Sequence, residues 1–284
     1  MKRGWFEAGD GTRTQEAHTT NVTVEKKWIP CVDPKAADAK RYVIRFGFTV
    51  IPGHDTDVDV LDPEAIARHF NRFVGALMDE AGADMVGEDK TFAGVYSVSW
   101  EGVVPQWTKA FREDFRKFAG CELDPFMPVL AGFVPDGVDP EKFTIDFRRV
   151  RNDMFRENFY GTLAKLAHER GVMLYSENGG PWNRDPELLK EADQLKYLSL
   201  NDMPQGEFWH AMKWSPNGNG QFVRGAVRAA KELGINRVSA EAFTHMNYHW
   251  SVAPCDIKGD GDRAYASGIN HFVWHTFACS PDEY

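Results

Sequence analysis

Residues 144–177, TIDFRRVRNDMFRENFYGTLAKLAHERGVMLYSE, carry the pattern that decides the fold class. Apolar side chains recur at helical spacing over 144–170, and Gly171 provides a stop for this long helix. The apolar run Val172–Tyr175 then predicts a short buried strand, and the carboxylate of Glu177 follows it. A helix that leads directly into a buried strand is typical of βαβ units, so this segment predicts an α/β fold with a parallel sheet.

The same alternation continues on both sides of this segment. The predicted strands are Tyr42–Ile51, Phe92–Trp100, Phe126–Leu130, Val172–Tyr175, Tyr197–Leu200, 206–209, Arg237–Ala240 and Phe272–His275. The predicted helices are 62–80, 106–118, 144–170, 186–192, 222–233 and 262–266. This order predicts a (β/α)8 TIM-type barrel over residues 41–284, incomplete at its C-terminus, with a doubly wound open sheet as the alternative. Residues 1–40 show little periodicity and are predicted to form an irregular lead-in or the remnant of a preceding domain.

The bulk composition excludes several classes of protein. The chain has 284 residues, 43% of them hydrophobic, which is enough for one sizeable core. Its net charge of −9 argues against nucleic acid or an anionic membrane as the main partner. No apolar run predicts a transmembrane helix or a signal peptide, and no glycine-rich phosphate loop follows an early strand. The patternless start and the end just after an apolar segment are expected of a piece of a longer chain.

Four glutamates are predicted at the carboxyl ends of strands, where barrel enzymes keep their catalytic groups. They are Glu101, Glu177, Glu207 and Glu241, and each has an aromatic residue close by in the sequence. Pairs of carboxyl groups cleave glycosidic bonds, one as the acid and the other as the base or nucleophile. Convergence of these glutamates would therefore indicate glycoside hydrolysis. For each glutamate taken singly, a helix cap or a surface charge is the alternative interpretation.

Other potential metal ligands form weaker patterns. His245 and His249 are four residues apart, but the segment lacks an HExxH motif and resembles a loop. A surface or substrate-facing role is therefore predicted for His245 in preference to zinc binding. Asp256, Asp260 and Asp262 do not have the spacing of an EF-hand, and a solvated turn that caps a helix is predicted for them.

Several short motifs resemble those of glycoside hydrolase family 106, the inverting α-L-rhamnosidases. In chain order they are Phe46-Gly47-Phe48-Thr49, Asp59-Val60-Leu61 with Ala65 and His69-Phe70, Ser99-Trp100-Glu101 with Trp107-Thr108, Asp124-Pro125-Phe126-Met127-Pro128, Pro204-Gln205-Gly206-Glu207-Phe208-Trp209, Ala240-Glu241-Ala242-Phe243-Thr244, and Gly268-Ile269-Asn270 with His275. Each motif is modest alone, but their common order and spacing cover residues 41–279. The resemblance implies a catalytic barrel that belongs to a much longer chain with β-rich domains.

The resemblance also implies the chemistry of the site. Glu101 and Glu241 would form the acid–base pair, with Glu101 as the acid and Glu241 as the base, although the assignment of the two roles stays open here. Inversion leaves room for a water molecule and so requires about 6.5–9.5 Å between the two carboxyl groups. A calcium ion that touches sugar hydroxyls would be bound by Glu177 and Glu207, since calcium prefers oxygen ligands. The expected sugar-binding residues are Trp100, Glu177, Asn178, Trp182, Glu207, Trp209 and His245.

The expected partners are a carbohydrate substrate and further domains of the parent chain, and the parent protein is expected to be periplasmic or extracellular.

Two places depart from the family pattern. Val98 stands where the family turn usually reads Asp-Ser-Trp-Glu, and Glu177-Asn178-Gly179-Gly180-Pro181-Trp182 replaces a turn of the Glu-Pro-Tyr-Gly type. Both changes question rhamnose as the substrate more than they question glycoside hydrolysis. A retaining galactosidase and a non-catalytic carbohydrate-binding barrel remain alternatives, and Trp182 and Trp209 have core packing as an equal alternative to stacking on a sugar.

Overall fold

The computed structural model of the protein describes residues 5–7, 13–15, 20–29, 41–50, 58–177, 180–181, 185–215, 218–245 and 251–275. The strands are β1 Trp5–Glu7, β2 Arg13–Gln15, β3 Thr20–Ile29, β4 Arg41–Val50, β5 Gly94–Ser97, β6 Met173–Ser176, β7 Gln205–Trp209, β8 Ser239–Thr244 and β9 His271–Trp274. The helices are α1 Pro63–Phe70, α2 Ala76–Ala81, α3 Phe111–Ala119, α4 Met127–Leu130, α5 Pro140–Phe155, α6 Thr162–Glu169, α7 Pro186–Leu189, α8 Gln194–Leu198, α9 Asn219–Leu233 and α10 Pro254–Ser267. None of the helices within these described ranges is both long and apolar enough to cross a membrane.

The chain divides into two compact units. The first comprises residues 1–66, 102–159 and 183–191, and the second comprises residues 67–101, 160–182 and 192–284. Strands β1–β4 belong to the first unit and strands β5–β9 to the second. All the acids predicted to be functional lie in the second unit.

The first unit contains an antiparallel sheet in the order β1-β2-β3-β4. Strands β3 and β4 pair along their whole length, from Thr20 opposite Val50 to Ile29 opposite Arg41. The strand predicted over Tyr42–Ile51 is confirmed as β4, whereas β1, β2 and β3 lie in the stretch for which irregular structure is predicted. An antiparallel ladder satisfies the backbone groups of a polar segment even where its side chains show no clear period of two, so the sequence pattern did not indicate these strands.

Aromatic packing joins the two main helices of the first unit. Helix α5 begins with Asp139, whose side chain accepts hydrogen bonds from two backbone N–H groups of the first turn, and Pro140 occupies the first helical position. The ring of Phe147 on this helix lies 5.6 Å from that of Phe111 and 6.1 Å from that of Phe115, both on α3. Burial of these rings holds α3 against α5.

The second unit is built on parallel strands. Strand β5 pairs with β6, and β8 pairs with both β7 and β9, in each case in parallel. A single parallel bridge between Glu177 and Gln205 continues this order from the end of β6 to the start of β7. Strands that follow one another in the chain are therefore neighbours, with α6 before β6, α9 before β8 and α10 before β9. The predicted α/β arrangement of parallel strands joined by helices is confirmed for this unit.

The strands that carry the acids are anchored by a tightly packed core. Its buried members come from β7, α9, β8 and α10 and the segments that join them: Phe208, Val223, Ala226, Ala230, Val238, Ala240, Ala242, Ala264 and Ile269. Gly206 allows β7 to approach α9, because a Cβ at this position would lie only 2.6 Å from the backbone oxygen of Phe222. Close packing of this kind leaves β7 and β8 little freedom to shift, and the acids on these strands share that rigidity.

Two of the predicted strands are wrong. The segment Phe126–Leu130 forms the end of a 3₁₀ turn followed by α4, and Tyr197–Leu200 covers the end of α8 and the turn that follows. Pro128 has no backbone N–H to donate to a sheet, which disfavours a strand at the first site. The side chain of Asp193 caps α8 by accepting a backbone N–H from its first turn, which favours a helix at the second.

The predicted closure into an eight-stranded barrel is not seen. Within the described part of the chain the strands form sheets of four, two and three strands, and these sheets are small and not closed. Among the described residues a single bridge joins the end of β6 to β7, so the ladder between these two strands is almost absent there. The structure thus supports a mixed helix-and-sheet fold with a run of parallel strands.

Candidate active site

Three of the four predicted glutamates converge in the second unit. Glu207 on β7 and Glu241 on β8 are register partners in neighbouring parallel strands, so their side chains leave the same face of the sheet. Glu177 directly follows β6, and it forms a bridge with Gln205, two residues before Glu207. Carboxylate oxygens from the three acids lie within 4.8 Å of one another. Glu241 lies inside its strand rather than after it, because β8 extends beyond the predicted end at Ala240. Glu207 lies inside β7, as the predicted strand 206–209 already places it.

Burial makes the negative charge of this carboxylate cluster unfavourable. Glu177 and Glu207 are only 4% and 8% exposed, and Glu241 is half-buried. The pKa of Glu241 is raised from 4.5 to about 8, first by burial, then by a hydrogen bond with Glu177, and then by the charges of Glu177 and Glu207. Three carboxyl groups at this spacing do not all ionise at neutral pH unless a cation offsets their charge.

Glu177 is oriented by side chains from three strands. Its Oε2 accepts a hydrogen bond from the Tyr96 hydroxyl at 3.2 Å and another from the backbone N–H of Ser99 at 3.1 Å. The Tyr96 hydroxyl accepts in turn from Nε2 of Gln205 at 3.0 Å, and Oε1 of Gln205 accepts from the buried Ser239 hydroxyl at 3.0 Å. Burial and the charge of Glu177 raise the pKa of Tyr96 above its usual range, so this hydroxyl remains a donor.

Glu241 has partners on its own strand and just after the next strand. The Thr244 hydroxyl donates to Oε1 of Glu241 at 3.1 Å. Nδ1 of His275 lies 2.8 Å from that hydroxyl and 3.3 Å from Oε1 of Glu241. Phe243 has a φ of 65°, and the pairing of β7 with β8 shifts at this position, so a β-bulge follows the acid.

Glu101 is not a member of the carboxylate cluster. It is exposed, in the turn after β5, and its Oε1 accepts a hydrogen bond from the Ser99 hydroxyl at 3.2 Å. Because the backbone N–H of the same serine donates to Glu177, Ser99 connects Glu101 to one acid of the cluster. The predicted pairing of Glu101 with Glu241 stays a prediction.

The tryptophans predicted to bind the sugar are half-buried where the structure describes them. Trp100 follows β5, and Trp209 ends β7, where its backbone N–H and C=O both bond to the Asn219 side chain. The indole Nε1 of Trp209 is buried and has no hydrogen-bond partner among the described residues. Asn178 and Trp182 lie outside the described residues.

His245 lies beside a second histidine that the sequence pattern did not indicate. The rings of His245 and His210 are 6.3 Å apart and nearly perpendicular. Nδ1 of His210 lies 2.8 Å from Oδ2 of Asp260, and the Trp214 indole N–H donates to Oδ1 of Asp260 at 2.9 Å. The predicted place of Asp260 in a solvated turn is wrong, because the residue is buried on α10 and binds two rings from the loop after β7.

Some of these supporting residues could have been found from the sequence. Gln205 precedes Glu207 by two residues, and the strand period of two places both side chains on one face. Thr244 lies three residues after Glu241, for which the same period predicts opposite faces. The strand period therefore predicts the wrong face for Thr244, and the bulge at Phe243 brings the Thr244 side chain to Glu241.

Comparison with known proteins now identifies the family. The sequence profile of glycoside hydrolase family 106, described as alpha-L-rhamnosidase, matches residues 42–284. The chain belongs to this family. The structure of a rhamnosidase from a Novosphingobium species is similar, with a TM-score of 0.65 and 26% sequence identity, over 89% of this chain and 22% of that one.

A second relative of the family 106 chain carries a different name. A protein of Formosa agariphila that is provisionally named a β-glucuronidase is 29% identical in an alignment of length 281 that covers 94% of this chain and 22% of that protein. The chain thus spans 22% of the length of each of these two relatives.

The carboxylate cluster of this family 106 chain has the donors that suit a hard cation. Glu177, Glu207 and Glu241 offer only carboxylate oxygens, the ligand type that calcium prefers. Burial, a hydrogen bond with Glu177 and the charges of Glu177 and Glu207 raise the pKa of Glu241, so a cation bound here would offset an unfavourable charge. Both observations fit a calcium site. Val98, at the place where the family pattern has an aspartate, is 65% exposed and adds no carboxylate.

Proposed function

We propose that this chain carries the catalytic site of a glycoside hydrolase that cleaves α-L-rhamnosidic bonds with inversion. The observation that carries the proposal is the convergence of Glu177, Glu207 and Glu241 from neighbouring parallel strands, with carboxylate oxygens within 4.8 Å of one another. Buried carboxyl groups at this spacing repel one another and do not stabilise a fold, so a functional reason for the cluster is favoured. Membership in family 106 supports glycoside hydrolysis as that function.

The parallel strands β5–β9 are proposed to belong to a (β/α)8 barrel. The barrel is supported by the order of these strands, because strands consecutive in the chain are parallel neighbours with helices between them. In such barrels the catalytic groups come from the carboxyl ends of different strands, which agrees with acids on β7 and β8 and directly after β6.

Glu101 is assigned as the general acid and Glu241 as the general base. Glu241 accepts a proton from a water molecule, whose oxygen forms a bond to the anomeric carbon on the face opposite the leaving group. The glycosidic C–O bond breaks as Glu101 gives its proton to the departing oxygen. The products are a sugar with inverted anomeric configuration and an alcohol, and proton exchange with solvent restores both acids.

Calcium is proposed as the cofactor, with Glu177 and Glu207 as the residues that would hold it. When bound, the ion supplies open coordination positions for sugar hydroxyls. Tyr96 and Ser99 keep the Glu177 carboxylate oriented through their hydrogen bonds to Oε2. Offsetting the charge of Glu177 and Glu207 removes a cause of the raised pKa of Glu241 and favours the ionised form that a base requires.

The sugar itself is proposed to contact the aromatic residues and the histidine at the strand ends. Trp209 ends β7, two residues beyond Glu207, and is half-buried. Trp100 precedes Glu101, and His245 follows Thr244 at the end of β8. Asn178 and Trp182 complete the proposed sugar-binding set.

The test is hydrolysis of an aryl α-L-rhamnoside with a poor leaving group by the intact protein, in calcium and in EDTA. We expect calcium-dependent release that is lost in Glu101→Gln and in Glu241→Gln. Glu232→Gln, at an exposed glutamate on α9, is the matched control and should stay active. NMR of the first product should show the β-anomer, and an initial α-anomer would contradict inversion.

The leaving group separates the two catalytic roles. A dinitrophenyl glycoside needs no proton for departure, so the variant that lacks the acid keeps far more activity on it than on substrates with poor leaving groups. Glu101→Gln should show this difference, while Glu241→Gln should be inactive on both kinds of substrate. The opposite pattern would exchange the two assignments.

A panel of glycosides tests the sugar. Hydrolysis of a β-glucuronide or a galactoside, with no hydrolysis of a rhamnoside, would support glycoside hydrolysis but replace rhamnose as the substrate. Hydrolysis of the β-glucuronide would agree with the name of the Formosa relative. Sugar binding without hydrolysis of any glycoside would favour the carbohydrate-binding alternative, with exposed Val98 as the first position to restore to aspartate.

A further inference from the structure

The backbone of β8 leaves regular strand geometry directly beyond Glu241. Phe243 has a φ of 65°, a region that costs a residue with a side chain about 1–3 kcal/mol. The ladder between β7 and β8 skips Phe243, so that Thr244 pairs with Trp209. A hydrogen bond from the backbone N–H of His210 to the C=O of Thr244, at 2.7 Å, closes the ladder beyond the bulge.

This bulge decides which face of the sheet Thr244 occupies. In a regular strand, side chains three residues apart point to opposite faces. With Phe243 as an extra residue, Thr244 returns to the face of Glu241, and its hydroxyl reaches Oε1 at 3.1 Å. The ring of Phe243 packs against Phe208 and Phe272, with centroids 4.9 and 5.2 Å away, and this packing helps to hold the strained conformation.

The hydrogen bonds around Thr244 have one consistent direction. A hydroxyl has a single hydrogen, and Thr244 gives it to Oε1 of Glu241, so its oxygen accepts from Nδ1–H of His275 at 2.8 Å. His275 is itself tied to β8, because its backbone N–H donates to the C=O of Ala242 at 3.3 Å. The chain from His275 through Thr244 thus ends on one named oxygen of Glu241.

We propose that Thr244 and His275 are positioning residues for Glu241, which hold Oε1 and so select one orientation of its carboxylate. The inference rests on the proposed function, because it takes Glu241 as the base. A glutamate carboxylate turns easily about its last bond, for which no staggered preference exists. Fixing one oxygen confines that rotation, and displacement of a catalytic group by about 1 Å lowers a rate by about 100-fold.

Thr244→Val and Thr244→Ser form a matched pair for the test, on the aryl glycoside that the intact protein hydrolyses best. Valine keeps the branched shape without the hydroxyl, and serine keeps the hydroxyl. We expect Thr244→Val to lower kcat by about 10- to 100-fold with little change in KM, and Thr244→Ser to recover most of the loss. His275→Ala should also lower kcat, and His275→Asn, whose amide nitrogen can replace Nδ1, should recover part of it.

Thr108→Val is the control for a merely structural effect. Thr108 is a buried threonine of the first unit whose hydroxyl donates to Oδ2 of Asp59 at 2.8 Å, so valine removes the same kind of bond. We expect both valine variants to lower Tm and only Thr244→Val to lower kcat. Equal kcat values for the two variants, or no recovery in Thr244→Ser, would overturn the positioning role.

Failure of this inference and failure of the proposed function give different results. An active Glu241→Gln variant would contradict the role of Glu241 as the base, and it would also contradict the positioning role of Thr244 and His275. An inactive Glu241→Gln variant together with wild-type kcat in Thr244→Val and His275→Ala would leave the proposed function standing and overturn the inference alone.

Discussion

The hydroxyl of Tyr96 lies 3.2 Å from Oε2 of Glu177 and donates a hydrogen bond to it. This bond joins β5 to the acid that directly follows β6, its parallel partner strand. Since Gln205 already donates to the same hydroxyl at 3.0 Å, the tyrosine proton is directed to the carboxylate. The orientation of one acid of the cluster therefore depends on an uncharged residue that takes no part in the proposed proton transfers.

Tyr96→Phe should weaken calcium binding by about 10- to 100-fold, as loss of a hydrogen bond behind a metal ligand commonly does. The ring and its packing stay, while Glu177 loses the donor that orients Oε2. Calcium titrations followed by calorimetry and by activity measure the change. Tyr265→Phe is the control, because Tyr265 is an exposed tyrosine on α10, and it should bind calcium like the wild type. Equal affinity in Tyr96→Phe would show that the hydroxyl does not support the ligand.

The raised pKa of Glu241 predicts a pH-dependent stability in EDTA. The folded protein keeps this proton up to about pH 8, whereas the unfolded chain releases it near its ordinary pKa of 4.5. Unfolding in that window releases a proton, so the contribution of Glu241 is present below pH 4.5 and is lost as pH rises towards 8. Tm should therefore fall more steeply with pH in the wild type than in Glu241→Gln, while Glu232→Gln should keep the wild-type slope. Identical slopes in the wild type and Glu241→Gln would contradict the raised pKa.

The convergence of the acids was predictable because it depends on strand order and period. Glu207 and Glu241 each belong to a short apolar segment that predicts a strand, and parallel pairing in register brings their side chains to one face. Thr244 was not predictable in this way, since the bulge at Phe243 reverses its face. A positive φ at phenylalanine has no sequence signature, as glycine is the residue expected there.

The wrong elements have equally local reasons. The strand at Tyr197–Leu200 is predicted from a short apolar run, and the length of such a run does not distinguish a strand from a helix. The N-cap at Asp193 favours the helix that the structure contains. The sequence predicts that helix α10 begins at Asp262, because Gly259 and Gly261 lower the helix propensity of the preceding residues. In the structure the helix begins at Pro254 and includes both glycines, since packing stabilises it. The sequence pattern therefore predicts a turn at Asp260 and does not indicate that this residue is buried.

Gly206→Ala should destabilise the protein and reduce activity together. The added Cβ would lie 2.6 Å from the backbone oxygen of Phe222, so β7 or α9 must shift, and Glu207 is the next residue on β7. We expect a loss of about 1–3 kcal/mol in unfolding free energy, measured by urea denaturation. Gly259→Ala on α10 is the matched control, because nothing lies within 4 Å of its Cβ, and it should be neutral or stabilising by up to about 1 kcal/mol. Wild-type stability in Gly206→Ala would show that the strand and helix pack less tightly than the geometry requires.

Asp260→Asn should destabilise the loop that follows β7, because the buried carboxylate accepts from two different rings. His210 bonds to Oδ2 at 2.8 Å and Trp214 to Oδ1 at 2.9 Å, and an asparagine must turn an N–H₂ group towards one of these donors. A buried donor that loses its acceptor costs about 1–3 kcal/mol, and urea denaturation measures the loss. Asp262→Asn, two residues along α10, is the control. Asp262 is exposed and, among the described residues, forms an ion pair only with Lys258, so loss of its charge should cost less than about 0.5 kcal/mol. If the two variants unfolded at the same urea concentration, Asp260 would not be holding His210 and Trp214 in place.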